Sequence, residues 1–203
     1  MLRKIFIAVI TIFSITNNAQ SIFPSYYFNN DMEFATPGSM LWGLAGFNNP
    51  AELSFQTQPN IYFTWNDKDS EEKNFSSWGL FTSIPYLGFG IHNQSYKNYS
   101  ITDYKLSTAL GSDAFSVGLG YGWSTGDVKF LERSDLFTLG AIFRPANFIS
   151  LNLMANVPSK GEREGIIGAG IRPLANYNLT FFGDYTFTDD KVKENIKWSA
   201  GAI

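Results

Sequence analysis

The chain has 203 residues, enough for one domain of ordinary size, with 17% aromatic residues, 18 glycines and only 16% charged residues. That mixture suits strands better than helices, because aromatics fit a pleated surface and glycine interrupts helix interiors. A net charge of -3 leaves no basic footprint for nucleic acid, and the absence of cysteine excludes disulfides, thiolate metal sites and a cysteine nucleophile. A single histidine likewise excludes a multi-histidine zinc site, and no cofactor is indicated.

Residues 1–20 read as an export signal. Arg3 and Lys4 form a positive start, Ile5 to Ile15 an apolar run, and Asn17 to Gln20 a polar exit with Ala19 near a cut site. The run is short for a spanning helix, although an uncleaved anchor is the alternative. Residues 21–59 follow, dense in Asn, Pro and Gly and without a sustained period. They are expected to plug or brace the mouth of a barrel, or to supply a short first strand near Glu52–Gln56.

From Asn60 to residue 203 the sequence alternates with a period of two. In 114–123, Phe115, Val117, Leu119, Tyr121 and Trp123 fall on one face, opposite Ser116, Gly118, Gly120 and Gly122. Ten such segments are expected as strands: 60–65, 75–83, 87–95, 100–110, 114–123, 134–144, 149–156, 164–172, 178–187 and 195–203. Their connections alternate between long polar loops, such as Asn66–Asn74, Ser124–Arg133 and Thr188–Glu194, and short ones, such as Ile84–Tyr86, Ser112–Asp113 and Pro145–Phe148. Outer-membrane barrels have this asymmetry of short periplasmic turns and longer external loops. The fold expected is therefore all-β: an antiparallel up-and-down transmembrane β-barrel in the outer membrane, with lipid as its partner. A soluble β-barrel or sandwich is the alternative, with its apolar face inward.

Several charges fall on the expected lumen face: Asp103, Lys105, Arg144, Arg172, Asp184 and Lys197. They suit either a lined channel or an interior salt-bridge network. His92 belongs to the same face, beside Gly90 and Gln94. It could serve a barrel enzyme, although no motif flanks it and a structural role is the simpler reading. Gly165, Gly168 and Gly170 lie in a strand pattern with no helix after them, so they do not make a phosphate loop. The acidic run Asp67, Asp69, Glu71 and Glu72 is spaced unlike an EF-hand.

The stretch Ala35-Thr36-Pro37-Gly38, followed by Gly43 to Asn48 and then Asn49-Pro50-Ala51, is similar to the FadL-like outer-membrane family, where an Asn-Pro-Ala lies in the N-terminal plug region. Trp78-Gly79-Leu80-Phe81, Leu87-Gly88-Phe89-Gly90, Tyr121 to Asp127 and Phe182-Gly183-Asp184-Tyr185 resemble a barrel found N-terminal to the peptidase in some SppA-like signal peptide peptidases. The first resemblance implies a plug at Asn49, Pro50 and Ala51, and passage of hydrophobic solutes. The second implies a membrane anchor for a periplasmic serine–lysine peptidase domain or partner. No α/β pattern exists here, so no catalytic residue carries over. The chain stops at Lys197 to Ile203 in mid-pattern without a terminal aromatic, so a continuation of the strands is expected.

Overall fold

The computed structural model describes residues 32, 43–66, 77–96, 99–129, 132–176, 178–188 and 197–202. The export signal, the Ala35–Gly38 stretch and the acidic run at 67–72 lie outside the described residues, as does the side chain of Lys197.

Ten strands form one sheet in chain order, each antiparallel to the next. They are β1 (Asn60–Asn66), β2 (Ser77–Ile84), β3 (Leu87–Tyr96), β4 (Tyr99–Gly111), β5 (Phe115–Gly126), β6 (Leu136–Ala146), β7 (Ile149–Pro158), β8 (Glu164–Ile171), β9 (Phe181–Thr188) and β10 (Lys197–Ala202). All ten expected segments are strands, and the period of two explains why. Slipping a strand by one residue would exchange its faces, so the apolar alternation fixes each register. Opposed residues such as Leu119 and Leu139, or Gly118 and Gly140, therefore share a face.

The connections follow the expected rhythm with two departures. β3 ends at Tyr96 and β4 begins at Tyr99, the shortest interval on its side, and β8 reaches β9 through 172–180, longer than its neighbours on that side. Between β2 and β3, Pro85 and Tyr86 make a two-residue turn, with Tyr86 at φ 69. A positive φ is costly for a bulky residue. Backbone bonds on both sides hold it: Tyr86 N–H donates to Leu53 O at 3.2 Å and Tyr86 O accepts from Ala109 N–H at 3.0 Å. In β6 the register shifts between Phe143 and Ala146, the place where Pro145 lacks a ladder donor.

The segment before β1 is helical, not extended. A 3-10 turn at Leu44–Gly46 leads into a six-residue 3-10 helix, Pro50–Phe55. The expectation of a short strand near Glu52–Gln56 is thereby corrected. Asn49 caps the helix, its Oδ1 accepting from Ala51 N–H at 3.0 Å, and Pro50 supplies a pre-set φ where no donor is needed. Both helical pieces pack on one face of the sheet, Leu44–Gly46 against β1 to β3 and Pro50–Phe55 chiefly against β4 to β6. That face is called the inner face below.

Candidate functional site

The inner face carries most of the small and polar strand residues, together with buried Phe81, Ile101, Leu136, Ile142, Met154 and Ile166. Ser77, Gly79, Gly88, Gly90, Ser107, Ser116, Gly120, Thr138, Gly140, Ser150, Asn152 and Gly168 are all buried there. The opposite face exposes Phe63, Leu80, Leu106, Leu119, Leu139, Leu153, Ile167 and Tyr185. Among the described residues, more large apolar side chains are exposed than buried.

The inner glycines have a specific job where the helical segment lies on them. A Cβ at Gly140 would overlap Asn49 Oδ1, and one at Gly88 would overlap the carbonyl of Ala45. A methyl group has no room at either contact, because a backbone carbonyl already fills the space over Gly88 and the capping amide of Asn49 fills that over Gly140. Neighbouring hydroxyls then tie the segment down. Ser107 Oγ donates to Gly46 O at 2.9 Å, Ser116 Oγ donates to Ala51 O at 2.7 Å, and Ser83 Oγ donates to Gln56 Oε1. Phe47 meets Phe81 edge-on at 5.1 Å, and Arg144 lies over the Phe55 ring at 3.9 Å. The Asn-Pro-Ala motif is thus the seat of this segment: Asn49 caps, Pro50 starts the helix, and Ala51 is small enough to be fully enclosed.

All five described charged candidates fall on the inner face, but they do not form one centre. Asp103 and Lys105 lie beside the helical segment on β4, together with His92 across on β3. His92 is buried, with Nε2 3.2 Å from Ser77 Oγ and its ring edge-on to Phe47 at 6.2 Å. Lys105 places Nζ 5.1 Å from the centre of the Phe47 ring. Asp103 accepts from Ser124 Oγ at 2.6 Å and pairs with Arg133 at 3.5 Å. Arg144 sits toward the short-turn end, its Nε donating to Ser150 Oγ at 3.4 Å. Arg172 is 1% exposed, just past β8, and Asp184 on β9 accepts from both the N–H and the hydroxyl of Ser199.

Two further features complete the interior. Arg133 and Ser134 fold inward from the connection between β5 and β6, and Ser134 Oγ donates to Lys160 O at 2.9 Å, which joins that connection to the one after β7. A buried chain runs from Thr138 Oγ1 to Asn156 Oδ1 at 3.0 Å, and from Asn156 Nδ2 to Glu164 Oε2 at 3.1 Å. Glu164 shares the phase of Gly168 and Gly170, so periodicity could have found it. Arg133 lies in a loop, where side-chain direction has no period and only tertiary packing decides.

A cavity of about 40 Å³ lies between Phe47-Asn48 and the inner wall, lined in part by His92, Asp103, Lys105, Ser124, Arg133 and Asn156. Among the described residues no cluster of His, Cys, Asp and Glu is able to hold a metal ion, and no helix is long and apolar enough to cross a membrane. No protein-family model, no curated protein and no solved structure matches the chain.

Proposed function

We propose that this chain is the β-barrel domain of a Gram-negative outer-membrane protein, a membrane anchor that is not itself catalytic. The observation that carries this reading is the inverted polarity of the sheet. Ile61 and Leu110, 77% and 72% exposed, belong to an apolar face that crosses every strand, while hydroxyl, amide and charged groups are buried behind it. In water that face would exceed the few hundred Å² of contiguous apolar surface that a monomer ordinarily exposes. Against hydrocarbon it is favourable, and charges belong on the other side.

The length of the five middle strands supports the same reading. β3 to β7 run 10, 13, 12, 11 and 10 residues, and a tilted crossing takes about 9–11. The outer-face tryptophans Trp65, Trp78, Trp123 and Trp198 lie toward the end opposite the Pro85-Tyr86 turn. Tyr104 stacks on Trp123 at 5.5 Å, Tyr121 meets Phe137 at 5.2 Å, and Trp65, Tyr185 and Trp198 are exposed nearby on their strands. An interfacial girdle needs such a band. On this reading the sheet curls into an up-and-down barrel whose lumen is the inner face. Leu44–Phe55 is its plug, residues 1–20 are its export signal, and lipid is its partner.

The SppA-like resemblance supplies the purpose of the anchor, which is to hold a periplasmic serine–lysine peptidase domain or partner at the membrane. The FadL-like alternative, a passage for hydrophobic solutes, has less support. The cavity beside Phe47-Asn48 is only about 40 Å³, and the plug itself is seated on glycines.

The test is fractionation of cells expressing the chain. The protein is expected in the outer-membrane fraction, resistant to carbonate extraction, with a gel mobility that shifts on boiling. Recovery as a soluble periplasmic protein with one mobility would overturn the reading.

A further inference from the structure

We propose that a groove on the outer face of β6 to β9 holds one phospholipid acyl chain as an ordered ligand. This site presupposes the membrane reading above, and adds to it a place on the apolar face and its occupant.

The groove has tall walls and a low floor. Phe143, Leu151, Ile167 and Tyr185 stand on the walls, each 42–53% exposed. Ala169 and Gly183, half-buried and paired across β8 and β9, make the floor. The open space between them is about 610 Å³, within the roughly 300–1,000 Å³ of small-molecule sites. Asn152, Asp184 and Ser199 border it, but their side chains turn to the inner face, where Ser199 bonds Asp184. The side chains that reach the groove are therefore apolar, apart from the Tyr185 hydroxyl.

Gly183 points the same way. Packing demands Gly88 and Gly140, where a Cβ would overlap the plug segment. Nothing in the fold makes that demand of Gly183, whose added Cβ would find its nearest atoms at 3.4 and 3.8 Å. The ladder runs through Gly183 on both sides without a register shift, so no bulge explains it. A glycine inside a strand weakens it, and where there is no bulge or bend it marks close approach by a ligand or another backbone.

The surroundings select lipid. The groove is continuous with the apolar face that the membrane reading sets against hydrocarbon. Two copies meeting about a two-fold axis here would set groove against groove and fill neither. Leu151, Ala169 and Gly183 each stand two residues from the short-turn end of their strands. That end is periplasmic in an outer-membrane barrel, which assigns the acyl chain to a phospholipid of the periplasmic leaflet.

The experiment is native mass spectrometry of the full chain, released from outer membranes in mild detergent, with any bound lipid identified. A monomer carrying one phospholipid is expected. Gly183→Leu fills the groove without touching the plug. Its lipid occupancy is expected to fall at least about tenfold, because an acyl chain would be overpacked against the added side chain. Val117→Leu enlarges the outer face away from the groove and is expected to keep the lipid. Release of the unmodified chain as a lipid-free monomer would overturn the proposal and leave the membrane reading standing, and that arm needs no variant to fold. Unchanged occupancy in a Gly183→Leu chain whose gel mobility still shifts on boiling would overturn it equally. A lipid-free dimer would also overturn it, giving the groove to a second copy. A chain never recovered in membranes would sink the membrane reading first, and this site with it.

Discussion

At the scale of single residues, the molecule depends on positions where nothing larger fits. Gly140 and Gly183 are both strand glycines, yet they face opposite ways. A Cβ at Gly140 would overlap Asn49, whereas one at Gly183 would meet its nearest atoms at 3.4 and 3.8 Å, ordinary contact. Gly140→Val is therefore expected to lower stability by about 1–3 kcal/mol through overpacking, and Gly183→Ala by less than about 0.5 kcal/mol. Urea unfolding of the two variants, followed by tryptophan fluorescence, checks both. Asn49→Ala removes the acceptor of Ala51 N–H and is expected to cost about 1 kcal/mol, while Asn49→Ser keeps a cap and most of the stability. Equal losses in both Asn49 variants would show that the cap bond is not what Asn49 contributes.

At the scale of elements, each strand carries two different surfaces. β5 is the clearest case: Phe115, Val117, Leu119 and Tyr121 are exposed, and Ser116 and Gly120 are buried. Leu119→Arg separates the membrane and soluble readings by magnitude. On a lipid face near mid-bilayer, arginine costs about 2–4 kcal/mol. On a water-exposed face the same change falls within about 0.5 kcal/mol. The larger loss is expected, measured as a shift of the urea midpoint in lipid vesicles relative to the parent chain. The strands were legible because burial on one side forces a period of two. The helical segment was not, because a 3-10 helix of six residues is too short to show a period. Asn49-Pro50 was nonetheless a readable start signal, since Asn caps and Pro begins such turns.

At the scale of the whole molecule, the order β1 to β10 places the two edge strands at opposite ends of the ladder. Their outer faces continue the apolar band, with Phe63 and Trp65 on β1 and Trp198 on β10 exposed. If the band faces lipid, brominated acyl chains are expected to quench much of the tryptophan emission of the folded chain in vesicles. Trp198→Phe is expected to reduce the quenched fraction. Emission untouched by brominated lipid would mean that these rings face water or protein.

What the sequence determined by itself was the alternation, and with it the strands, their faces and the placement of Asp103, Lys105, Arg144, Arg172 and Asp184 behind the apolar surface. Those follow from local geometry, since successive side chains in a strand point to opposite sides. Only the tertiary structure decided which of these charges meet. Asp103 and Lys105 share a cavity with His92 because β3 and β4 place them side by side, and Arg133 joins them because a loop folds back across the sheet. It also decided why the inner glycines are there: at Gly88 the Ala45 carbonyl, and at Gly140 the Asn49 side chain, comes too close for a Cβ. Contacts between residues far apart in the chain leave no period for a sequence to display, and the physical reason is that they are set by packing, not by the repeat of any one element.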